Sequence, residues 1–351
     1  MKHIPHRLWL AATAVVALAA GVIVTANPAQ AATMQRSYQW SSSGILIAPK
    51  SDSSHSLVSI KDPSVVHYNG RWHVFASTVD SAGEYSMVYL NFTDWSSADS
   101  ATPFHLDETA IGTGYRAAPQ VFYFAPQSLW YLVYQTGGNA SYSTNTDLAN
   151  PSGWTAPKGF YSGVPSIIQQ NIGSGSWVDM WVICGSVNCH LFSSDNNGHL
   201  YRSQTSMAGF PNGMSDPVIV LSDSKFKLFE ASNMYKIAGA QEYLLLVEAI
   251  GSDGKRYFRS WTTDAINGAF TALADTGSNP FARSTNVAFG GTAWTKDISH
   301  GEMIRAGYDQ NMIINPCGLR YAYQGFDPAS TAGYTFPPWR IGLLTQTNSA
   351  C

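Results

Sequence analysis

The chain has 351 residues, only 12 % of them charged, with 20 Lys and Arg against 23 Asp and Glu. It carries no basic cluster, which argues against nucleic acid as a partner, because neutralising phosphate takes concentrated Lys and Arg. With 18 Tyr, 16 Phe and 11 Trp, the composition instead suits neutral sugars, whose rings stack on aromatic faces.

Residues 1–31 read as a signal peptide. Lys2, His3, His6 and Arg7 form a basic lead, an apolar run over 8–26 follows, and Ala29-Gln30-Ala31 matches the small-x-small pattern of a cleavage site. The run is near the length of a membrane anchor, but its terminal position and the cleavage pattern favour removal. No later segment is apolar enough to span a bilayer. The expectation is a secreted protein of residues 32–351, free of the membrane and monomeric.

Beyond the leader, helical periodicity is scarce. Short apolar runs of strand length, separated by Gly, Asn, Asp, Ser and Pro, recur in sets of three. Each set has an opening segment, an aromatic-led apolar strand and a strand ending in hydroxyl residues. In chain order these fall at 62–66, 72–76 and 89–94; at 118–122, 130–134 and 142–147; and at 179–183, 189–193 and 201–205. The last two sets are 230–234, 243–247 and 258–262, then 300–304, 319–323 and 341–345. The sets begin every ~50–70 residues, which predicts an all-β, five-bladed β-propeller in a single domain. A β-sandwich also has many short strands, but it gives no reason for five similar units.

Four cysteines lie beyond the leader. In an exported protein an even count reads first as disulfides. Cys184 and Cys189 are close in sequence, and a Cys317–Cys351 bond pins the chain end to the body. These pairs are favoured over the other two connectivities. A four-thiolate zinc site competes with them, but the spacings do not match a zinc ribbon.

In a propeller the first strand of each blade lines the central axis, and its start faces one mouth of the channel. The five starts carry Asp62, Ala118 (with Gln120 two residues on), Asp179, Glu230 and His300. One acid at a strand start is ordinarily a turn residue or an N–H acceptor. Three in register around one axis are different, because like charges raise one another's pKa and cost stability. Glycosidic cleavage uses such a set. One carboxylic acid protonates the leaving oxygen, a second carboxylate attacks the sugar or activates water, and a third negative group tunes the acid. Glu230, with the longer reach, is assigned as acid, Asp62 as base and Asp179 as the group that tunes Glu230. His300 reads either as a buried, hydrogen-bonded histidine or as a contact to a cation in the channel. No His-Glu-x-x-His helix, phosphate-cradling glycine loop or Gly-x-Ser-x-Gly elbow is found, and no organic cofactor is expected.

These residues together resemble glycoside hydrolase family 62. The resemblance is carried by Lys61-Asp62-Pro63-Ser64-Val65, Ala118-Pro119-Gln120-Val121-Phe122, Trp177-Val178-Asp179-Met180-Trp181, Leu228-Phe229-Glu230-Ala231-Ser232-Asn233 and Asp297-Ile298-Ser299-His300-Gly301-Glu302-Met303. Asn91-Phe92-Thr93-Asp94-Trp95 and Gly342-Leu343-Leu344-Thr345-Gln346-Thr347 add to it. It implies a five-bladed propeller and an inverting α-L-arabinofuranosidase acting on side groups of arabinoxylan and arabinan, with the same three acid roles. It also implies a channel calcium near His300 and sugar contacts from Lys61, Gln120 and Tyr334. Trp130 is similar to an aromatic platform for the xylan chain, its other reading being core of the second blade. After Tyr334 the family commonly carries Asn, whereas this chain has Thr335, so contacts to the xylan backbone are expected to differ. With no appended carbohydrate-binding module expected, polymer binding falls to the propeller surface. A family 43-like arabinanase or β-xylosidase, and a sugar-binding propeller without catalysis, are the alternatives.

Overall fold

The computed structural model describes residue 1, residues 34–332 and residues 337–351. The expected signal peptide beyond Met1, together with Tyr334 and Thr335, lies outside the described residues. From residue 34 onward the chain builds five antiparallel sheets that follow one another in sequence, each one blade of a β-propeller. Blade one is Leu57–Tyr68, Arg71–Asp80, Tyr85–Phe92 and Phe104–His105, and blade two is Arg116–Phe124, Leu129–Thr136, Asn139–Asn145 and Lys158–Gly159. Blade three is Val178–Cys184, Asn188–Ser194, His199–Ser206 and Val218–Ser222. Blade four is Glu230–Ile237, Tyr243–Ile250, Arg256–Thr263 and Thr271–Ala272, with Ile313–Ile314 added parallel to its first strand. Blade five begins with Ser299–Met303, Arg320–Gly325 and Arg340–Gln346. Among the described residues the one α-helix is the six-residue Ser166–Asn171.

Strands such as Tyr243–Ile250 are apolar on both faces because each blade is covered by a neighbour on either side. The core therefore lies between blades. Val66, Phe75, Met87 and Tyr89 of blade one pack on Val121, Trp130, Leu132 and Tyr134 of blade two, each large side chain contributing roughly 1.5–3 kcal/mol by leaving water. Trp130 belongs to this packing. It is 2 % exposed, with its ring 5.0 Å from that of Tyr68, 5.3 Å from Tyr123 and 5.5 Å from Tyr308. A sugar platform must turn a face to solvent, so Trp130 is core and not a xylan-binding surface.

Both expected disulfides are formed. Cys184 and Cys189 face each other across the first hairpin of blade three, and Cys317 holds the terminal Cys351. The ring is closed by a strand the repeat did not announce. Trp40–Ser42 pairs antiparallel with Arg340–Gln346 and parallel with Val287–Phe289, so blade five is completed from the N-terminal side of the chain. Trp40 anchors this strand, its indole Nε1 donating to the carbonyl of Phe281 at 2.6 Å and its ring packed edge-on to that of Phe281.

The far end of the channel is plugged by residues 304–314. Arg305 donates to the carbonyls of Val65 and Val121, Tyr308 and Gln310 bond the backbone of Tyr123, Gln310 accepts from the Cys184 amide and Met312 from that of Lys236. One segment thus reaches the first strands of blades one to four and leaves the other end as the open mouth.

Because Trp40 is fully buried at the closure, Trp40→Ala is expected to cost about 3–5 kcal/mol, read as a lower denaturation midpoint. A variant as stable as the parent would show that closure does not rest on this strand.

Candidate active site

All five first strands carry a bulge at the same level. Pairing skips between Lys61 and Ser64, Ala117 and Gln120, Val178 and Trp181, Glu230 and Asn233, and Ser299 and Gly301. In four of them a non-glycine residue sits in the left-handed region: Asp62 (φ 51), Ala118 (φ 51), Asp179 (φ 57) and Ala231 (φ 51). Such backbone costs of order 1–3 kcal/mol per residue and persists only where its surroundings enforce it. The enforcement is visible. The Asp62 amide donates to Gln324 Oε1 at 2.6 Å, Ala118 to Ser77 Oγ at 2.7 Å, Asp179 to Gln135 Oε1 at 2.7 Å and Ala231 to Asp179 Oδ2 at 2.6 Å. In blade five His300 donates to Glu248 Oε2 at 2.8 Å. Each acceptor belongs to the preceding blade.

The bulges correct one alignment made from sequence. Ala231, not Glu230, is the equivalent of Asp62 and Asp179, and Glu230 corresponds to Lys61. The extra bulge residue also explains how Lys61 and Asp62 meet although neighbours on a regular strand point to opposite faces.

The three acids nevertheless line one cavity, of about 540 Å³, together with Lys61, Tyr85, Tyr115, Arg256, His300 and Trp339. Lys61 Nζ lies 3.6 Å from Asp62 Oδ1 and above the Tyr85 ring. Burial opposes its charge, but Asp62, Tyr85 and Glu230 outweigh this and hold the ammonium above the usual lysine range. His300 Nδ1 lies between two carboxylates, 3.2 Å from Asp62 Oδ1 and 3.7 Å from Asp179 Oδ1. Burial, then the charges of Glu230 and Asp62, push the Asp179 carboxyl up from 3.8 to about 7, against the opposing pull of His300 and the Ala231 amide.

Glu230 has partners that sequence reasoning missed. Its Oε1 accepts from Arg256 Nη1 at 2.6 Å, and the same nitrogen donates to the fully buried Glu248. The guanidinium is sandwiched near the rings of Phe229 and Trp339, at 5.2 and 5.7 Å. Glu248 is raised by burial although Arg256 pulls it down. The available signal was a pair of arginines, Arg256 and Arg259, in a strand that otherwise carries only aromatic and hydroxyl residues, where a buried guanidinium demands a carboxylate.

Gln120 does not reach the mouth. It is 3 % exposed, and its amide is spent on Val182, donating to the carbonyl at 3.0 Å and accepting from the N–H at 2.7 Å. The sugar contact expected of it is therefore withdrawn. With Ser64, Asp179, His300 and Glu302 it lines a second cavity of about 20 Å³ deeper in the channel, enough for one water or ion. Calcium takes six to eight oxygens. Here Glu302 is already committed to Ser64, Val65 and Arg305, and among the described residues no three His, Cys, Asp or Glu donors converge in the channel. An ion seated there would have to complete its shell with water from the adjoining main cavity, with which Asp179 and His300 are shared.

A model of glycosyl hydrolase family 62 matches residues 39–345. The chain belongs to this family. It is 42 % identical over 323 residues to alpha-L-arabinofuranosidase C of Cellvibrio japonicus (strain Ueda107), covering 91 % of this chain and 48 % of that one, so it spans about half the length of that relative. The solved catalytic domain of a Coprinopsis cinerea GH62 alpha-L-arabinofuranosidase is 65 % identical, with a TM-score of 0.89 over 91 % of this chain and 100 % of that one. A GH62 hydrolase solved in complex with xylotriose is 54 % identical, with a TM-score of 0.86 over 89 % of this chain and 98 % of that one. These family 62 structures share the propeller.

The raised Asp179 carboxyl has a stability consequence. It binds its proton more tightly folded than unfolded, so its contribution is full below about pH 4 and is lost as pH rises through about 7. Asp179→Asn keeps an oxygen for the Ala231 amide and cannot ionise. Its melting temperature is expected to exceed that of the parent above pH 7 and to converge with it towards pH 4. Parallel melting curves across that range would refute the assignment.

Proposed function

We propose that this family 62 chain hydrolyses single α-L-arabinofuranosyl side groups of arabinoxylan, and of arabinan, with inversion. The observation that carries the reading is the meeting of Asp62, Asp179 and Glu230 in one mouth, although long stretches of chain separate them. The relatives' names and the xylotriose bound to one of them support the substrate class.

In this reading Asp62 takes a proton from the attacking water, with the Lys61 ammonium close enough to balance its charge and His300 Nδ1 3.2 Å away to orient it. Glu230 delivers a proton to the leaving xylose oxygen. Arg256 holds Glu230 in the structure and must release it for that step, with Glu248 on hand to keep the guanidinium. Asp179 acts on Glu230 through charge and through the amide of the next residue, Ala231. Ala332 and Pro337 line the mouth, which supports Tyr334 between them as a sugar contact and Thr335 as a point of difference in the xylan site. A hydrated calcium is read as a structural ion beside His300, and no step of the reaction passes through it. Residues 1–31 are read as an export signal leaving a secreted monomer of residues 32–351. Among the described residues no helix is long and apolar enough to cross a membrane.

Incubation with wheat arabinoxylan, followed by proton NMR from the first minutes, tests the reading. The first free sugar is expected to be β-L-arabinofuranose, and Asp62→Asn or Glu230→Gln is expected to lower turnover by about 10²–10⁴-fold with unchanged circular dichroism. Release of the α anomer, near-parental turnover in either variant, or binding without any released arabinose would each overturn it.

A further inference from the structure

Away from the mouth, the outer edge of blade one carries a cluster that the hydrolase chemistry does not use. The loop leading into Leu57–Tyr68 contributes Asp52 and His55, the outer strand Phe104–His105 contributes His105, and the turn after it contributes Asp107. Asp52 Oδ1 is occupied by the amides of Ser54 and His55, at 2.7 and 2.8 Å. His55 Nδ1 straddles the carboxylate, 3.0 Å from Oδ1 and 3.1 Å from Oδ2, and His105 Nε2 lies 3.3 Å from Oδ2. The other nitrogen of His55, Nε2, faces Asp107 Oδ2 at 3.4 Å.

We propose that Asp52 Oδ2, His55 Nδ1 and His105 Nε2 bind a divalent transition ion of the zinc type, with Asp107 orienting His55 and water completing the shell. Bonds of ~2.0–2.2 Å at tetrahedral to octahedral angles put neighbouring ligand atoms ~3.0–3.5 Å apart, and the two oxygen–nitrogen edges here are of that length. All three donors lie within 4.8 Å of one another.

Hydrogen bonding alone serves the cluster only with His55 charged and His105 neutral beside it. A neutral histidine donates from one nitrogen, yet His55 presents both of its nitrogens to carboxylates. His105 competes for the same Asp52 oxygen, and the two rings are stacked with centroids 3.6 Å apart and planes within 5°. Two imidazolium ions in that arrangement repel. A metal removes the need for a charged ring. His55 and His105 both stay neutral and give lone pairs to the ion, while His55 Nε2–H donates to Asp107, the carboxylate–histidine arrangement usual behind metal ligands. The rings must tilt apart from parallel for both lone pairs to converge. Two carboxylates and a divalent ion also balance in charge. Two imidazole donors favour zinc, cobalt, nickel or copper over calcium and magnesium, which take oxygen. Asp52 is 46 % exposed while His105 is 5 % exposed, so ions and water reach the site from one side. Bound metal would fasten the loop that feeds the strand bearing Lys61 and Asp62 to the edge of the same blade.

The test is calorimetric titration of the chelator-treated full chain with zinc chloride, paired with melting curves and with cobalt(II) absorption as a readout of nitrogen ligation. The expected result is one zinc equivalent that raises the melting temperature, and cobalt bands that vanish in Asp52→Asn and in His55→Gln. Calcium chloride is expected to do neither. Replacing the buried His105 risks misfolding, so the exposed Asp52 is the decisive position. Asp107→Asn removes no ligand and is expected to weaken zinc by about 10-fold or more. Absence of zinc binding, or isotherms unchanged in Asp52→Asn and His55→Gln, would overturn the proposal.

Discussion

The structure turns on five backbone N–H groups that the bulges swing out of their own ladders. A buried amide without an acceptor costs about 1–3 kcal/mol, and each of these finds its acceptor on the blade before it. The bond therefore fixes two things at once: the register between neighbouring blades and the direction of the side chain at the bulge. In blades one, two, four and five the acceptor comes from equivalent second-strand positions, Ser77, Gln135, Glu248 and Gln324, paired with Lys61, Ala117, Glu230 and Ser299. Blade three has Ser194 there, paired with Val178, and Asp179 accepts the Ala231 amide instead. One carboxylate is thus both a clasp of the ring and a member of the acid set. Its oxygen on the amide next to Glu230 links the geometry of the proposed acid to the assembly of the propeller.

The same economy governs charge. Asp62, Asp179 and Glu230 line the mouth with Lys61, Arg256 and His300 among them, Arg256 shared between Glu230 and the buried Glu248 and His300 Nδ1 set between Asp62 and Asp179. Burial of carboxylates without such partners would cost several kcal/mol each. Below, Glu302 and Arg305 repeat the pattern, pairing at 2.9 Å while Glu302 holds Ser64 and Val65 and Arg305 holds the carbonyls of two blades. The channel is a column of shared charges whose spacing is set by the blades.

The repeat was legible because strand-length apolar runs and turn residues recur whatever each strand packs against. The position of Glu230 was legible only to within one residue, since a bulge inserts a residue that no hydrophobic alternation announces. Trp130 and Gln120 show the limit of residue type: an aromatic at a strand start and an amide near the axis are compatible with either surface or interior, and the blade-to-blade contact decides. Trp40–Ser42 escaped because three residues carry no period, and its partners lie some 250 to 300 positions away. Arg256 escaped for the opposite reason. Of its partners, Glu230 was read on an inner strand and Glu248 lies one residue past the apolar run 243–247, and only the folded register brings both to one guanidinium.

The plug at residues 304–314 gives the mouth its character. A channel open at both ends would let a chain pass through, whereas here Arg305, Tyr308, Gln310 and Met312 bind the far ends of four first strands and turn the channel into a blind pocket. The acids sit at the level of the bulges, near the open end. A blind pocket with its acids near the rim suits a single terminal sugar entering head-on while the polymer that bears it stays outside. In the proposed reading polymer contact falls to the rim, where Phe326, Trp339, Ala332 and Pro337 stand. That geometry accords with the proposed removal of a side group, and the far end of the same segment, Ile313–Ile314, is held as an extra strand of the blade that carries Glu230.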